Sequence, residues 1–465
     1  MSISEAGIIM ADNPREVTHE VAFWRQGHLG LNAFFYIAIA FASYVNNYTF
    51  STLISIAVII YFLFTKPEEH FFFLVGFVPF EAVFKTFALN SCFVLLLISS
   101  LKLIFNKRPI RISVIGLISF VLLVFFEIIN DYGKVSTGAL LIFLSMISYL
   151  FIFVQFADRK CFNFEEIMRN TIISYFVVVM FSILQYGSFE AFISAVSDES
   201  MLVRFGEQNN PFGGAMGLPL YSALIIAMIV ASVIIKHSLR IREKALLLLA
   251  GGFAFIFGVL TVSRSFLLCI GATVVFLFLS LVGSNRRKVF VILAFTAIIS
   301  VAIYFVAENY INGVAEEYFF RSAHDAGTGI RGRIWESCID FLRENPSGYL
   351  TGFGIGSYAE IGESKSLMFS AMAHNLYLDV IMSVGAAGLL CVIALLDILR
   401  KRLKKTLDTG FRIVSALPFL VYLTFGMTAL SLTNLKTWIY LMAFIVMVYA
   451  TPGVQIVSEE KNEQN

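Results

Sequence analysis

Charge is what this sequence has least of. Charged residues fill 14% of its 465 positions and hydrophobic ones 58%, against about 25% and roughly 45–50% in ordinary soluble domains. Mean hydropathy is +0.82. A water-soluble fold would have to hide this apolar surplus in a core larger than globular domains build, so the composition excludes the soluble classes and points to a lipid-facing surface. A net charge of +2, without basic runs interleaved with aromatics, excludes a nucleic-acid partner. The five cysteines, Cys92, Cys161, Cys269, Cys338 and Cys391, are scattered without a Cys-x-x-Cys pair or metal-like spacing, which argues against a disulfide framework. Met1 to His28 lacks the short apolar core and small-residue cleavage site of a signal peptide, and is expected to stay in the cytoplasm. There is no internal repeat of the kind found in inverted-repeat transporters.

What the chain does have is apolar runs. They centre on Ala38, Ala57, Leu74, Leu96, Phe120, Phe143, Val178, Ile225, Ala254, Val274, Ala297, Ala387, Val421 and Phe444. A bilayer core of ~30 Å needs about 20 such residues per helix, so the expected fold is an all-α polytopic integral membrane protein with 12–14 transmembrane helices. The runs Phe71–Lys85 and Phe87–Ile104 are interrupted by Glu81 and Lys85, and read as short, tilted or partly re-entrant. Basic loops orient the rest. Lys102–Arg111, Lys236–Lys244, Arg286–Lys288 and Arg400–Arg412, together with the mixed loop Asp158–Arg169, all fall on one side, which is then cytoplasmic. The expected organisation is a cytoplasmic N-terminus (1–28), an N-terminal bundle (29–188), an external loop (189–214), central helices (215–308), a large external loop (309–374), C-terminal helices (375–452) and a cytoplasmic tail (453–465).

Loops as long as the two external ones are usually functional or disordered, and polar residues with chemical potential gather at their edges. Arg204 precedes the turn Asn210-Pro211 and the pair Gly213-Gly214, just before a helix start whose free N–H groups favour an anion. Its planar donors could grip a phosphate or anchor to a headgroup. Ser263-Arg264-Ser265 is a turn so short that Arg264 must sit at the outer interface, either lining a wet cavity or snorkelling. From Gly329, the positions Ile330, Ile334, Cys338 and Phe341 recur at helical spacing, with Arg331, Arg333, Glu336, Asp340 and Arg343 on the other faces. This predicts an amphipathic helix within the large external loop, lying along the membrane surface and ended by Asn345-Pro346-Ser347-Gly348. The alternate glycines of Gly352-Phe-Gly354-Ile-Gly356 allow close backbone approach to another group. His374 stands where this loop meets the bilayer. There it is either a general base working near neutral pH or an interfacial cap, and His324 is the competing histidine. Asn375 and Asp379, four residues apart, share a helical face, and an acid within a span is a functional candidate.

This order of motifs resembles the superfamily of O-antigen ligases and Wzy-type O-antigen polymerases. The motifs run Arg…Asn-Pro, Ser-Arg-Ser, Arg-x-x-x-Trp over Arg331–Trp335, Asn-Pro-x-Gly…Gly-x-Gly-x-Gly, and His-Asn, between Arg204 and Leu390. Phe266 stands where the family usually has glycine, and Phe212 where a second asparagine is commoner. The resemblance implies a membrane glycosyltransferase of the cytoplasmic (inner) membrane, with its site on the outer or periplasmic face and no nucleotide sugar. It implies His374 as catalytic base, and Arg204, Arg264 and one of Arg331 or Arg333 as ligands of an undecaprenyl pyrophosphate. Asn210, Trp335, Gly354, Asn375 and Asp379 would be supporting residues. No cofactor and no metal is expected. The expected partners are undecaprenyl-pyrophosphate-linked oligosaccharides and membrane lipid, with a chain-length regulator and a flippase as further candidates. The leading reading is a polymerase of carrier-linked repeat units; the alternatives are a ligase onto lipid A-core or protein and, less strongly, a flippase or transporter.

Overall fold

The computed structural model describes residues 14–80, 85–86, 89–105, 118, 121, 125, 164–188, 190–192, 194, 214–235, 241–261, 263–282, 330–354, 373–386, 388–390 and 417–428. Among these, helix dominates: α1 (Pro14–Val45), α2 (Tyr48–Phe64), α3 (Pro67–Phe77), α4 (Ser91–Phe105), α5 (Phe164–Leu184), α6 (Gly214–Ile235), α7 (Ile241–Leu260), α8 (Arg264–Val282), α9 (Ile330–Glu344), the single turn α10 (Gly348–Thr351), α11 (Leu376–Ala386) and α12 (Leu417–Gly426). The expected all-α fold is interrupted among the described residues by one antiparallel ladder, Lys85 opposite Asn90 and Thr86 opposite Leu89.

Two helices are long and apolar enough to cross a membrane by length and composition, over His28–Val45 and Glu166–Leu184. Shorter apolar helices accompany them. Their outward faces are apolar too. On α1, Phe34, Ile37, Phe41 and Tyr44 are exposed while Phe35, Tyr36, Ile39 and Ala40 are buried, so the helix is hydrophobic all round. On α7 and α8, Leu246, Leu249, Ile256, Leu268, Val275 and Leu279 are likewise exposed. An exposed apolar surface this continuous suits lipid rather than water.

α3 runs on into a 3₁₀ turn, Val78–Phe80, and Phe71 through Phe80 are all buried. At 1.5 Å per residue this element is only about 20 Å long. The hairpin then reverses the chain and α4 returns, its Lys102 Nζ donating to the carbonyls of Leu63 (2.6 Å) and Thr65 (2.7 Å) at the end of α2. The pair forms a helical hairpin with both ends on one side, too short for each arm to cross a ~30 Å hydrocarbon core.

Lipid gives helices little hydrophobic reason to associate with one another, so hydrogen bonds and close backbone approach must do more. Asn170 of α5 accepts from Asn32 Nδ2 at 2.9 Å and donates to the Glu166 carbonyl. The Tyr36 hydroxyl lies 3.0 Å from the Phe73 carbonyl and 3.2 Å from Asn170 Oδ1. Gly76 leaves the space that the Tyr36 ring occupies. The Tyr175 and Ser222 hydroxyls join α5 to α6 at 2.8 Å.

The helices that lead to the site alternate in direction. α6 and α7 are antiparallel neighbours across residues 236–240, with Gly251 against Ile229. The tight turn at Thr261–Ser263 reverses α7 into α8, where Phe266 packs on Gly258 and its ring lies 5.8 Å from Phe255. The starts of α6 and α8 therefore lie at the same end of the bundle as the end of α7.

The Asn32–Tyr36–Asn170 network is the most connected polar group in the apolar interior. Asn170→Leu leaves the buried Asn32 Nδ2 donor without its acceptor, while Tyr36 keeps the Phe73 carbonyl, and is expected to lower stability by about 1–2 kcal/mol. Thermal unfolding of the detergent-solubilised protein reads this directly.

Candidate active site

The site forms where three helix ends meet. Ser263 caps α8, its carbonyl accepting from Phe266 N at 3.0 Å. Arg264, the first residue of α8, is exposed. Next to it Ser265 Oγ is 2.6 Å from Thr428 Oγ1, just past α12. Thr428 bonds the Phe425 carbonyl, and Gly426 faces Leu376, the first residue of α11. One residue further, the Tyr377 hydroxyl donates to the Leu423 carbonyl at 3.0 Å. This chain of contacts carries Arg264, the end of α12 and the start of α11 into one layer.

His374 lies in that layer, immediately before α11. Its φ is +50°, a left-handed backbone that costs a residue with a side chain of this size about 1–3 kcal/mol. Asn375 follows as the helix cap, with Oδ1 accepting from Tyr377 N (3.0 Å) and Leu378 N (3.2 Å). The Asn375 side chain is thus occupied in starting the helix, and its carbonyl takes the Asp379 N–H at 2.9 Å. Asp379 is buried on the side of α11 that faces α9.

α9 is the amphipathic helix read in the sequence. Its apolar stripe, however, is covered by protein rather than laid on the membrane surface: Ile334, Cys338, Phe341 and Leu342 are buried with Ala373 and Met382. The reason is that α11 offers two apolar faces, one to the main core through Leu376, Val380 and Val384 and a second to α9. Positions 331, 335 and 338 fall on one side of a helix, and each meets the 373–379 segment in turn. The Arg331 charge acts on His374, the Trp335 Nε1–H donates to the Ala373 carbonyl at 2.7 Å, and Cys338 feels the Asp379 charge. Burial, with Asp379 adding to it, pushes the Cys338 thiol up to about 12, so it stays protonated. Arg333, two residues on from Arg331, is turned by about 200° around the helix and is exposed.

His374 is half-buried. Its burial first, and the Arg331 guanidinium second, lower its pKa below the usual imidazole value of 6.5. Both causes disfavour the protonated ring, so at neutral pH the imidazole is neutral and able to accept a proton.

The glycine cluster holds the other end of the platform. Gly352 and Gly354 have φ of +71° and +95°, and Gly385, near the end of α11, has φ +60°. Phe353 N donates to the Met382 carbonyl at 2.7 Å and Gly354 N to the Ser383 carbonyl at 2.9 Å. A Cβ on Gly352 would collide with Ser383 O, and one on Gly385 with Gly352 N and the Leu350 carbonyl. Gly354 therefore acts through backbone packing.

Of the residues singled out in the sequence, Arg264, Arg331, Trp335, His374 and Asn375 come together at one end of the bundle. Gly354 and Asp379 brace the platform from behind, and Arg333 points elsewhere. Arg204 and Asn210 lie outside the described residues, as does His324. Sequence reasoning missed Thr428, which pins α8 to α12, and Gly385, whose signal was the Gly-Ala-Ala-Gly run at 385–388.

Residues 246–393 match the family model described as O-antigen ligase. That stretch is similar to the O-antigen ligase family. The match covers less than half of the sequence, and includes Arg264, Arg331, Arg333, Trp335, Gly354, His374, Asn375 and Asp379 but not Arg204 or Asn210. The family is membrane-associated, consists of glycosyltransferase-like enzymes and acts on lipid-linked glycans. No curated protein gives a significant match to the chain. Phe266, next to the Ser-Arg-Ser turn, is fully buried in the room that Gly258 leaves, which packs the start of α8 against the end of α7.

Gly385→Ala puts a side chain into a left-handed backbone and into the Gly352 amide, and is expected to destabilise the protein by roughly 1–3 kcal/mol. Gly271→Ala, in a helix with open space around the new Cβ, should be neutral or stabilising by about 0.5–1 kcal/mol. Paired melting curves of the two variants test the glycine platform.

Proposed function

We propose that this protein polymerises glycan repeat units carried on undecaprenyl pyrophosphate, at the outer face of the cytoplasmic membrane. The observation that carries the reading is the half-buried His374, held on a left-handed backbone before the capped start of α11, inside the residues matched to the O-antigen ligase family. His374 takes the proton of the acceptor hydroxyl at the non-reducing end of one carrier-linked glycan. The acceptor oxygen forms a bond to the anomeric carbon of the donor, from the face opposite its pyrophosphate, with inversion. The bond from that carbon to the pyrophosphate oxygen breaks, and its electron pair leaves with the phosphate. Arg331, with Arg264 and Arg204, holds the charge that builds there. Proton removal by a positioned base is worth about 10²–10⁴-fold in rate, and holding two carrier-linked glycans together supplies proximity.

The proposed topology is 12–14 spans with the N-terminus and tail in the cytoplasm. The proposed chemistry needs no metal. A chain-length regulator and a flippase are proposed partners of the same pathway step. A ligase moving finished polysaccharide from the carrier to lipid A-core or protein uses the same site residues, and the family description favours it as the second reading. A flippase or transporter fits less well, because Arg264, Arg331 and His374 gather at one end of the bundle, while the interior polar pairs that are described are uncharged.

His374→Asn keeps a residue that tolerates a left-handed backbone and removes the base. In cells it should abolish chain elongation and leave single repeat units on the acceptor lipid. Loss of all attached glycan, with polymer accumulating on the carrier, would establish the ligase instead. Long polysaccharide surviving this substitution would sink the assignment of the base. Turnover by the purified protein should persist in excess chelator; activity that needs magnesium restored would count against metal independence.

The reaction requires neutral His374, so kcat/KM should fall on the acid side, through a pKa below 6.5. Arg331→Gln removes a charge that lowers this pKa, so the acid limb should move to higher pH, alongside any loss of donor binding. A limb that stays in place in Arg331→Gln would show that the two groups do not act together.

A further inference from the structure

The Trp335 indole reaches the active-site layer without belonging to the charge-bearing set. Its N–H donates to the Ala373 carbonyl at 2.7 Å across a separation of 38 residues. Ala373 is fully buried, and its carbonyl belongs to the peptide that leads into His374. A peptide is planar, so fixing that carbonyl fixes the plane from which the His374 φ is set. The φ of +50° at His374 is one that a histidine does not adopt without support. The cap at Asn375 holds the far side of the same residue. His374 is thus held between two clamps, one made by its own helix and one made by α9.

The clamp on the α9 side has a second consequence. Trp335 and Arg331 are four residues apart, one turn of the same helix. The hydrogen bond therefore sets the height of α9 along the 373–379 segment, and so the approach of the guanidinium to the imidazole. We propose that Trp335 is a positioning residue: by holding the Ala373 carbonyl it keeps the His374 ring in its reactive orientation and in register with Arg331. This rests on the reading of His374 as the base, and extends it to the group that aims the base. The titratable and charged groups on the surrounding elements are the exposed Arg331 and the buried Cys338 of α9, Tyr377 and Asp379 on α11, and Arg264 at the start of α8. Of these, Arg331 is the one whose charge bears on the imidazole.

The test compares Trp335→Phe with a variant carrying 3-benzothienylalanine at position 335, which keeps the bicyclic shape and lacks only the N–H. Each is purified in detergent and supplied with carrier-linked glycan extracted from a strain lacking the protein. Small misplacements of a catalytic group cost about 10²-fold, so kcat is expected to fall about 10- to 100-fold in both variants, with KM for the carrier-linked glycan within about twofold. The acid limb of the kcat profile should shift upward toward the ordinary imidazole range, because the freed ring leaves its buried place beside Arg331. A residue that only filled space would change thermal stability and leave that limb where it is. Wild-type kcat and an unshifted limb in the benzothienylalanine variant would overturn the proposal, even if Trp335→Phe folds poorly. Full activity of His374→Asn would overturn the reading of the base instead, so the two failures are distinguishable.

Discussion

A hydrogen bond between two hydroxyls, Ser265 and Thr428 at 2.6 Å, ties together the parts that make this protein chemically interesting. It fixes the start of α8 to the end of α12, and α12 in turn meets the first turn of α11 through Gly426 and Leu423. Apart from it, the described polar contact between α8 and α12 is the long Cys269 Sγ to Val421 carbonyl bond at 3.5 Å, and the rest of that seam is apolar. In a lipid environment such contacts hold helices together weakly and with little directional preference. A paired hydroxyl is directional and has nowhere better to go. The same logic holds the N-terminal half together, where Asn32, Tyr36 and Asn170 share one network.

Much of this was legible from the chain. The amphipathic spacing of 330–341 gave α9 to within a few residues, since periodicity in a polar loop has little competition. The Ser-Arg-Ser turn, the Asn-Pro stop after α9 and the helix beginning beside His374 were readable for the same reason: each is local. The covering of α9 was not readable. An apolar stripe looks the same whether lipid or α11 covers it, and only the second apolar face of α11 decides between them. The left-handed backbone of His374 was hidden too, because histidine's enrichment there is only a weak signal and one of its supporting groups, Trp335, lies 38 residues from Ala373. Choosing between Arg331 and Arg333 needed the register of α9 on the 373–379 segment, which Trp335 and Cys338 supply.

The placement of charge follows from this register. Arg331 stands, exposed, at the first turn of α9 with its charge acting on His374, while the stripe behind it is sealed by Ile334, Cys338 and Phe341. Asp340 and Arg343 pair on the outward face at 2.9 Å, an exposed pair of small energetic weight. α9 thus separates its duties by face. The inward side packs on the 373–382 segment, the leading turn carries Arg331, and the outer side keeps the helix wetted.

The two anchors of this platform also define a cassette. Gly354 is fastened to the Ser383 carbonyl and Ala373 to Trp335, so the intervening stretch 355–372 leaves and rejoins the same rigid support. Lengthening a loop whose ends are already fixed costs only about 0.6 kcal/mol per doubling. Evolution can therefore rewrite that stretch, residue by residue or by insertion, while the machinery beneath it stays unchanged. Changes between those two anchors come at little energetic expense to the support itself.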